Sequence, residues 1–269
     1  MAAEATTYRY VRLILLALLL ALAISVAAET VRTGWQTSIS AYYYTAAGPV
    51  FIAVLCCVGA CLVALRGLTD AEDVCLNLAG ISAPMVAFVP TPELGRAPDE
   101  PAIANSALTY LVVLAVGYLV VLVAVVRRRS HGGPAPTLWS VLGLISIPAA
   151  WVVGVVWILV DRDSFATHAH ALAAVFTFLP FVGVVLLNTD WGVRVLAWQP
   201  AAKGSRYDVG YWSVLAAMAL AAVVFAALWS WDYALLGLEI SLLLLFAAFW
   251  VLQSIGVPVP GADPDRRTS

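Results

Sequence analysis

The chain has 269 residues, 63% of them hydrophobic and only 11% charged, with a mean hydropathy of +0.95. So few polar side chains cannot cover a water-soluble core of this size, which excludes a soluble globular protein and makes lipid the solvent. A formal net charge of −2 offers no basic surface to a nucleic-acid partner.

A helix needs about 20 apolar residues to cross a hydrocarbon layer of about 30 Å. Eight segments meet or approach that length, at 11–28, 49–65, 70–89, 107–126, 138–160, 166–187, 211–228 and 234–255. The second and third are the weakest by length. The expected fold is an all-α transmembrane bundle of eight helices forming one domain, with a short polar tail at 256–269.

The first segment shares features with a secretory signal. Arg9 and Arg12 precede an apolar run that closes on the small residues Ser25, Val26, Ala27 and Ala28. Its apolar run is long for a signal core, and either reading leaves the other seven helices unchanged.

Basic residues mark cytoplasmic loops. With the N-terminus inside, eleven of the fourteen basic residues share the cytoplasmic side: Arg9, Arg12, Arg66, Arg127, Arg128, Arg129, Arg194, Lys203, Arg206, Arg266 and Arg267. Arg32, Arg96 and Arg162 fall outside. Both termini are therefore expected in the cytoplasm, and the acidic loop 90–101, with Glu93, Asp99 and Glu100, outside. Reporter fusions placed after Arg129 and within 90–101 are expected to report opposite sides of the membrane; the same side for both would overturn this topology. Arginine far in excess of lysine, with abundant alanine and valine, suggests a bacterium of high GC content and thus its plasma membrane.

Cys56, Cys57, Cys61 and Cys75 lie within or beside apolar segments without zinc-site spacing, and read as buried free thiols. Trp139, Trp157, Tyr211, Trp212, Trp229 and Trp231 sit near predicted span ends, where amphipathic rings anchor at headgroup depth. Pro84, Pro148 and Pro180 fall inside spans and remove helix hydrogen bonds there.

Polar groups inside a membrane are expensive, so they mark candidate sites. At the inner side, Thr69 and Glu72 have capping-box spacing and start the third helix. From that start Asp70, Asp73, Asn77 and Gly80 share one face, a polar stripe running into the membrane beside Arg66. The stripe suits a helix-dipole-stabilised first turn plus an interhelical asparagine, or a site for a cation, a proton or a polar headgroup.

The outer cluster is the run Asp161 to Leu187, which carries His168 and His170. Asp163, Thr167, His170, Ala174 and Thr177 share one helix face, and Ser164 with His168 another. Two residues apart, the histidines point in nearly opposite directions. His170 lies deeper and is the one expected to face the bundle, backed by Asp163 and Thr167. Partners would come from Glu93, Asp99, Glu100, Asp232 and the hydroxyls of Ser38, Ser40, Tyr42, Tyr43 and Tyr44. A catalytic zinc usually needs three protein ligands and an open position. At most two histidines are offered here, because His131 belongs to the opposite face. No cofactor is therefore expected, with zinc as the alternative.

Several of these residues carry a resemblance. The run SISAYYYT at 38–45, Arg66 with Gly67, Asp73, the NLAG of 77–80, Pro90 with Thr91, and His170 leading ALAAVFTF together resemble a family of uncharacterised bacterial polytopic membrane proteins. More faintly, the pattern is similar to the superfamily of alkaline ceramidases and progestin and adipoQ receptors, seven-helix proteins with a histidine, serine and aspartate site around zinc. That similarity implies hydrolysis of a lipid amide or ester. The chain departs from it because its last and second helices contain no histidine. Only His170, Asp73 and Ser40 match, and those match the nearer family.

The leading expectation is a plasma-membrane protein that binds a lipid headgroup or small amphiphile in a polar-lined bundle, with membrane lipids as partners. The rivals are a membrane-embedded metal-dependent lipid hydrolase and an ion-coupled secondary transporter, the latter requiring Asp73 to line a cavity reaching the midplane.

Overall fold

The computed structural model describes residues 2–92, 100–132, 135–198 and 207–256. Glu93, Arg96, Asp99, Lys203, Arg206, Arg266 and Arg267, together with residues 257–269 of the tail, lie outside the described residues, as does the Glu100 side chain.

Among the described residues all regular structure is helical. The helices are α1 (Ala2–Thr33), α2 (Gly48–Ala64), α3 (Asp70–Phe88), α4 (Glu100–Ser130), α5 (Leu138–Val160), α6 (Arg162–Leu187), the short α7 (Asp190–Val195), α8 (Asp208–Ala227) and α9 (Ala234–Gly256). Seven of them are long and apolar enough to cross a membrane, and α2, with 17 residues, is a shorter apolar helix. The protein is an all-α membrane bundle.

Helix starts follow side-chain chemistry. Thr69, Thr137, Asp161 and Thr189 each accept a hydrogen bond from the backbone N–H three residues on, which satisfies an orphan donor of the first turn. The capping box at Thr69 is offset by one residue: Glu72 Oε2 accepts from the N–H of Leu68 at 2.7 Å. Two elements were not anticipated, α7 and a 3-10 turn over Ser40–Tyr44. The latter occupies much of SISAYYYT.

Six helices, α1, α2, α3, α6, α8 and α9, share the main core, which includes Leu15, Phe51, Leu62, Leu76, Val184 and Met218. Phe181 on α6 stacks against Phe246 and Phe249 of α9 at centroid distances of 4.5 and 5.3 Å. α2 crosses α3 where Gly59 and Gly80 meet backbone to backbone. α4 and α5 stand aside from this core, and many of their valines and leucines are exposed.

Hydrogen bonds hold α4 off at defined heights. Tyr110 donates to the Ile81 carbonyl and Tyr118 to the Leu144 carbonyl, both at 2.8 Å, and the Trp151 indole donates to the Leu111 carbonyl at 2.6 Å. In each case a large ring separates the two backbones, so the contacts act as struts. At the arginine end, Thr137 and Ser140 both donate to Oδ2 of Asp70, at 2.5 and 3.1 Å, which pins the start of α5 to the start of α3.

Candidate functional site

The struts leave a cavity of about 1060 Å³ between α2, α3, α4 and α5, at the top of the range for small-molecule sites. Its walls run from Asp70 to Phe88 on α3, which at 1.5 Å per residue is roughly 27 Å, close to the hydrocarbon thickness.

The polar stripe is one wall. Asp70, Asp73, Asn77 and Gly80 all line this cleft, followed by Ile81 and Pro84. The facing wall at the same end carries Arg128 and Arg129. Between the ends the lining is apolar: Val63, Val74, Val113, Leu114, Val121 and Ile147. Asp73 Oδ1 accepts from the Gly67 N–H at 2.5 Å, and Arg66 lies within its electrostatic reach. Asn77, half-buried along the apolar stretch, has no hydrogen-bond partner among the described residues. Gly117 also lines the cleft, and a Cβ built there meets nothing within 4 Å.

The α3 first turn divides its carboxylates. Asp70 and Asp73 face the cleft, whereas Glu72 turns into the core, where it is 6% exposed. There Asn188 Nδ2 donates to Glu72 Oε1 at 2.8 Å, Gln253 Nε2 donates to Asn188 Oδ1 at 2.5 Å, and Arg12 Nη1 donates to the Gln253 carbonyl at 2.8 Å. This chain of donors ties α1, α9, α6 and α3 together. Arg12 interacts electrostatically with Glu72, Tyr211 and Tyr8. Arg12 Nε and Tyr211 OH are buried there without a hydrogen-bond partner among the described residues.

Arg12, Glu72, Asn188 and Gln253 were missed as a set, although each was legible singly as a polar group within or beside an apolar run. Glu239 was missed too. A lone carboxylate inside the last apolar segment, it accepts from the Ile39 N–H at 2.5 Å and holds the SISAYYYT turn.

At the opposite end the outer candidates are not one site. His170 is buried, with Nδ1 donating to the Val89 carbonyl at 2.6 Å. Asp163, Thr167 and His168 are exposed. Thr167 donates to the Asp163 carbonyl, and His168 Nδ1 to that of Ser164, within their own helix. Asp163 and Thr167 share helical phase with His170, but their side chains are exposed whereas His170 is buried against Val89. Ser40 is hydrogen-bonded to Thr91 at 2.6 Å and to Ser38 at 3.0 Å, while Tyr42 and Thr30 share their hydroxyls. Tyr44 donates to the Thr91 carbonyl at 3.2 Å. These bonds clamp the turn to the end of α3 and α1. Among the described residues no hydrogen bond joins Ser40 to His170.

Among the described residues no three histidine, cysteine, aspartate or glutamate side chains gather as a metal-ligand group. All four cysteines are free thiols. Cys57 is exposed and the others are half-buried, against the fully buried positions expected, and Cys56 lines the cleft.

Fold and cleft together define a polytopic α-helical membrane protein with a bilayer-length groove charged at one end. Comparison with family models, curated proteins and solved structures finds no match to this chain.

Proposed function

We propose that this is an eight-span plasma-membrane protein, both termini cytoplasmic, that binds a membrane amphiphile lengthwise in the cleft between α2 and α5. The observation that carries the reading is the cleft itself: about 1060 Å³, charged at the arginine end and apolar beyond it. An amphiphile has the same polarity profile. Its chains replace lipid contacts along Val63, Val113 and Val121, and its headgroup stays at interfacial depth beside Arg128 and Arg129. Asn77 supplies a donor and an acceptor partway down, suited to a carbonyl or hydroxyl of the ligand.

Native mass spectrometry of the purified full chain tests this. Co-purifying lipid is expected, and Gly117→Trp, which fills open space, is expected to remove it without lowering thermal stability. Lipid retained at the wild-type level in a folded Gly117→Trp variant would sink the proposal.

The same cleft favours a second reading, ion-coupled transport, because Asp73 lines a cavity that extends past Asn77 towards the middle of α3. Proteoliposomes separate the two: transport predicts ligand flux that collapses in Asp73→Asn, and binding alone predicts no flux.

A further inference from the structure

We infer that the amphiphile, on the reading just given, is a phospholipid whose headgroup joins a phosphodiester to a primary ammonium. The mouth of the cleft has two arginines on the α4 wall and two carboxylates on the α3 wall, and no ion pair joins them among the described residues. Opposite charges that face one cavity without meeting are complementary to a ligand carrying both signs.

Each wall selects one half of the headgroup. Arg128 and Arg129 present planar arrays of N–H donors, which match phosphate oxygens. Asp70 and Asp73 only accept hydrogen bonds. Asp70 spends Oδ2 on Thr137 and Ser140, and Asp73 spends Oδ1 on Gly67, which leaves the other carboxylate oxygen of each without a hydrogen bond among the described residues. A primary ammonium has three N–H donors to give them, whereas a quaternary ammonium has none. A headgroup of net negative charge would satisfy the arginines but meet the carboxylates repulsively. Among the side chains that line the mouth the two positive and two negative charges balance, matching a zwitterion. The neighbouring Arg66 lies beside Asp73 without a hydrogen bond to it among the described residues.

The experiment is headgroup competition on the full-length protein in detergent, read by native mass spectrometry and thermal shift. The probes are dioleoyl phosphatidylethanolamine, phosphatidylcholine and phosphatidylglycerol, which share their acyl chains. Phosphatidylethanolamine is expected to bind about tenfold more tightly than either of the others. Asp73→Asn keeps the acceptor for Gly67 and is expected to erase that preference while lipid still binds. Arg128→Gln with Arg129→Gln is expected to weaken all three by about tenfold. Equal binding of the three by the wild-type protein, or a preference for phosphatidylglycerol, would overturn the headgroup assignment and leave the cleft reading intact. Binding indifferent to Gly117→Trp would instead overturn the cleft reading. The wild-type comparison decides the headgroup even where a variant fails to fold.

Discussion

Asn188→Ala is expected to destabilise the bundle by about 3 kcal/mol, among the largest effects of any single polar substitution in this chain. Asn188 is the middle link between α9 and α3: its amide N–H₂ serves Glu72 and its oxygen receives Gln253. Both Glu72 oxygens accept, one from the Leu68 N–H and one from Asn188, and the Asn188 nitrogen also donates to the Val184 carbonyl at 2.9 Å, so Asn188 presents its nitrogen to α3 and its oxygen to α9. Truncation strands both neighbours at once. Interhelical hydrogen bonds in a membrane are individually worth only about 0.6 kcal/mol on average, because the unfolded helices find other partners in lipid. The larger figure comes from leaving the buried Glu72 side chain and the Gln253 amide each without a partner at once.

Glu72→Gln should cost less, about 1–2 kcal/mol, since the Leu68 N–H keeps an acceptor while the new amide meets the Asn188 amide donor to donor. Asp163→Ala, at an exposed side chain with no hydrogen bond of its own among the described residues, should stay within about 0.5 kcal/mol of wild type. Reversible unfolding in detergent, followed by tryptophan fluorescence, measures all three. An Asn188→Ala protein as stable as Asp163→Ala would show that the chain of donors does not hold the helices together.

The contrast between Glu72 and its neighbours shows how far the sequence could be read. Apolar run length located the seven helices long and apolar enough to cross a membrane and the shorter α2, because burial of a backbone in lipid permits little besides helix. Helical phase placed Asp70, Asp73, Asn77 and Gly80 on one face, and that face is a cleft wall. Phase does not say which face meets protein. Glu72 invited a local reading beside Thr69, yet its partner lies 116 positions away, and Arg12 reaches an atom 241 positions away. Such pairings depend on how helices assemble, which no local pattern encodes. His170 illustrates the same boundary from the other end. Its phase predicted an inward side chain, which it has, but Asp163 and Thr167, sharing that phase, lie two turns and one turn nearer the helix start, where that face is exposed and Phe165 and Ala166 are buried instead. The cleft was the least legible feature of all. Tyr110 and Tyr118 line it and bond from α4 across to α3 and α5, and aromatic residues within a span look the same in sequence whether they fill space or border an opening.

The floor of that cleft carries the other large effect: Gly59→Ala is expected to cost about 2–3 kcal/mol and to loosen amphiphile binding. A Cβ at Gly59 would lie 2.5 Å from the Gly80 carbonyl oxygen and 2.8 Å from Pro84 Cδ; one at Gly80 would lie 2.8 Å from the Gly59 carbonyl oxygen. Both obstacles are backbone or a backbone-locked ring, so no side-chain rotation relieves them, and α2 must move bodily from α3. Small residues let membrane helices approach this closely, and dispersion between the touching backbones is much of what holds such a pair together. Because Gly59, Gly80 and Pro84 also line the cleft, the displacement reshapes its wall. Gly154→Ala is the matched control, since a Cβ there meets only Leu111 Cδ2 at an ordinary 3.6 Å. It should leave unfolding and lipid retention unchanged. Should Gly59→Ala unfold at the wild-type temperature and keep its lipid, the glycine crossing would not be what sets the distance between α2 and α3.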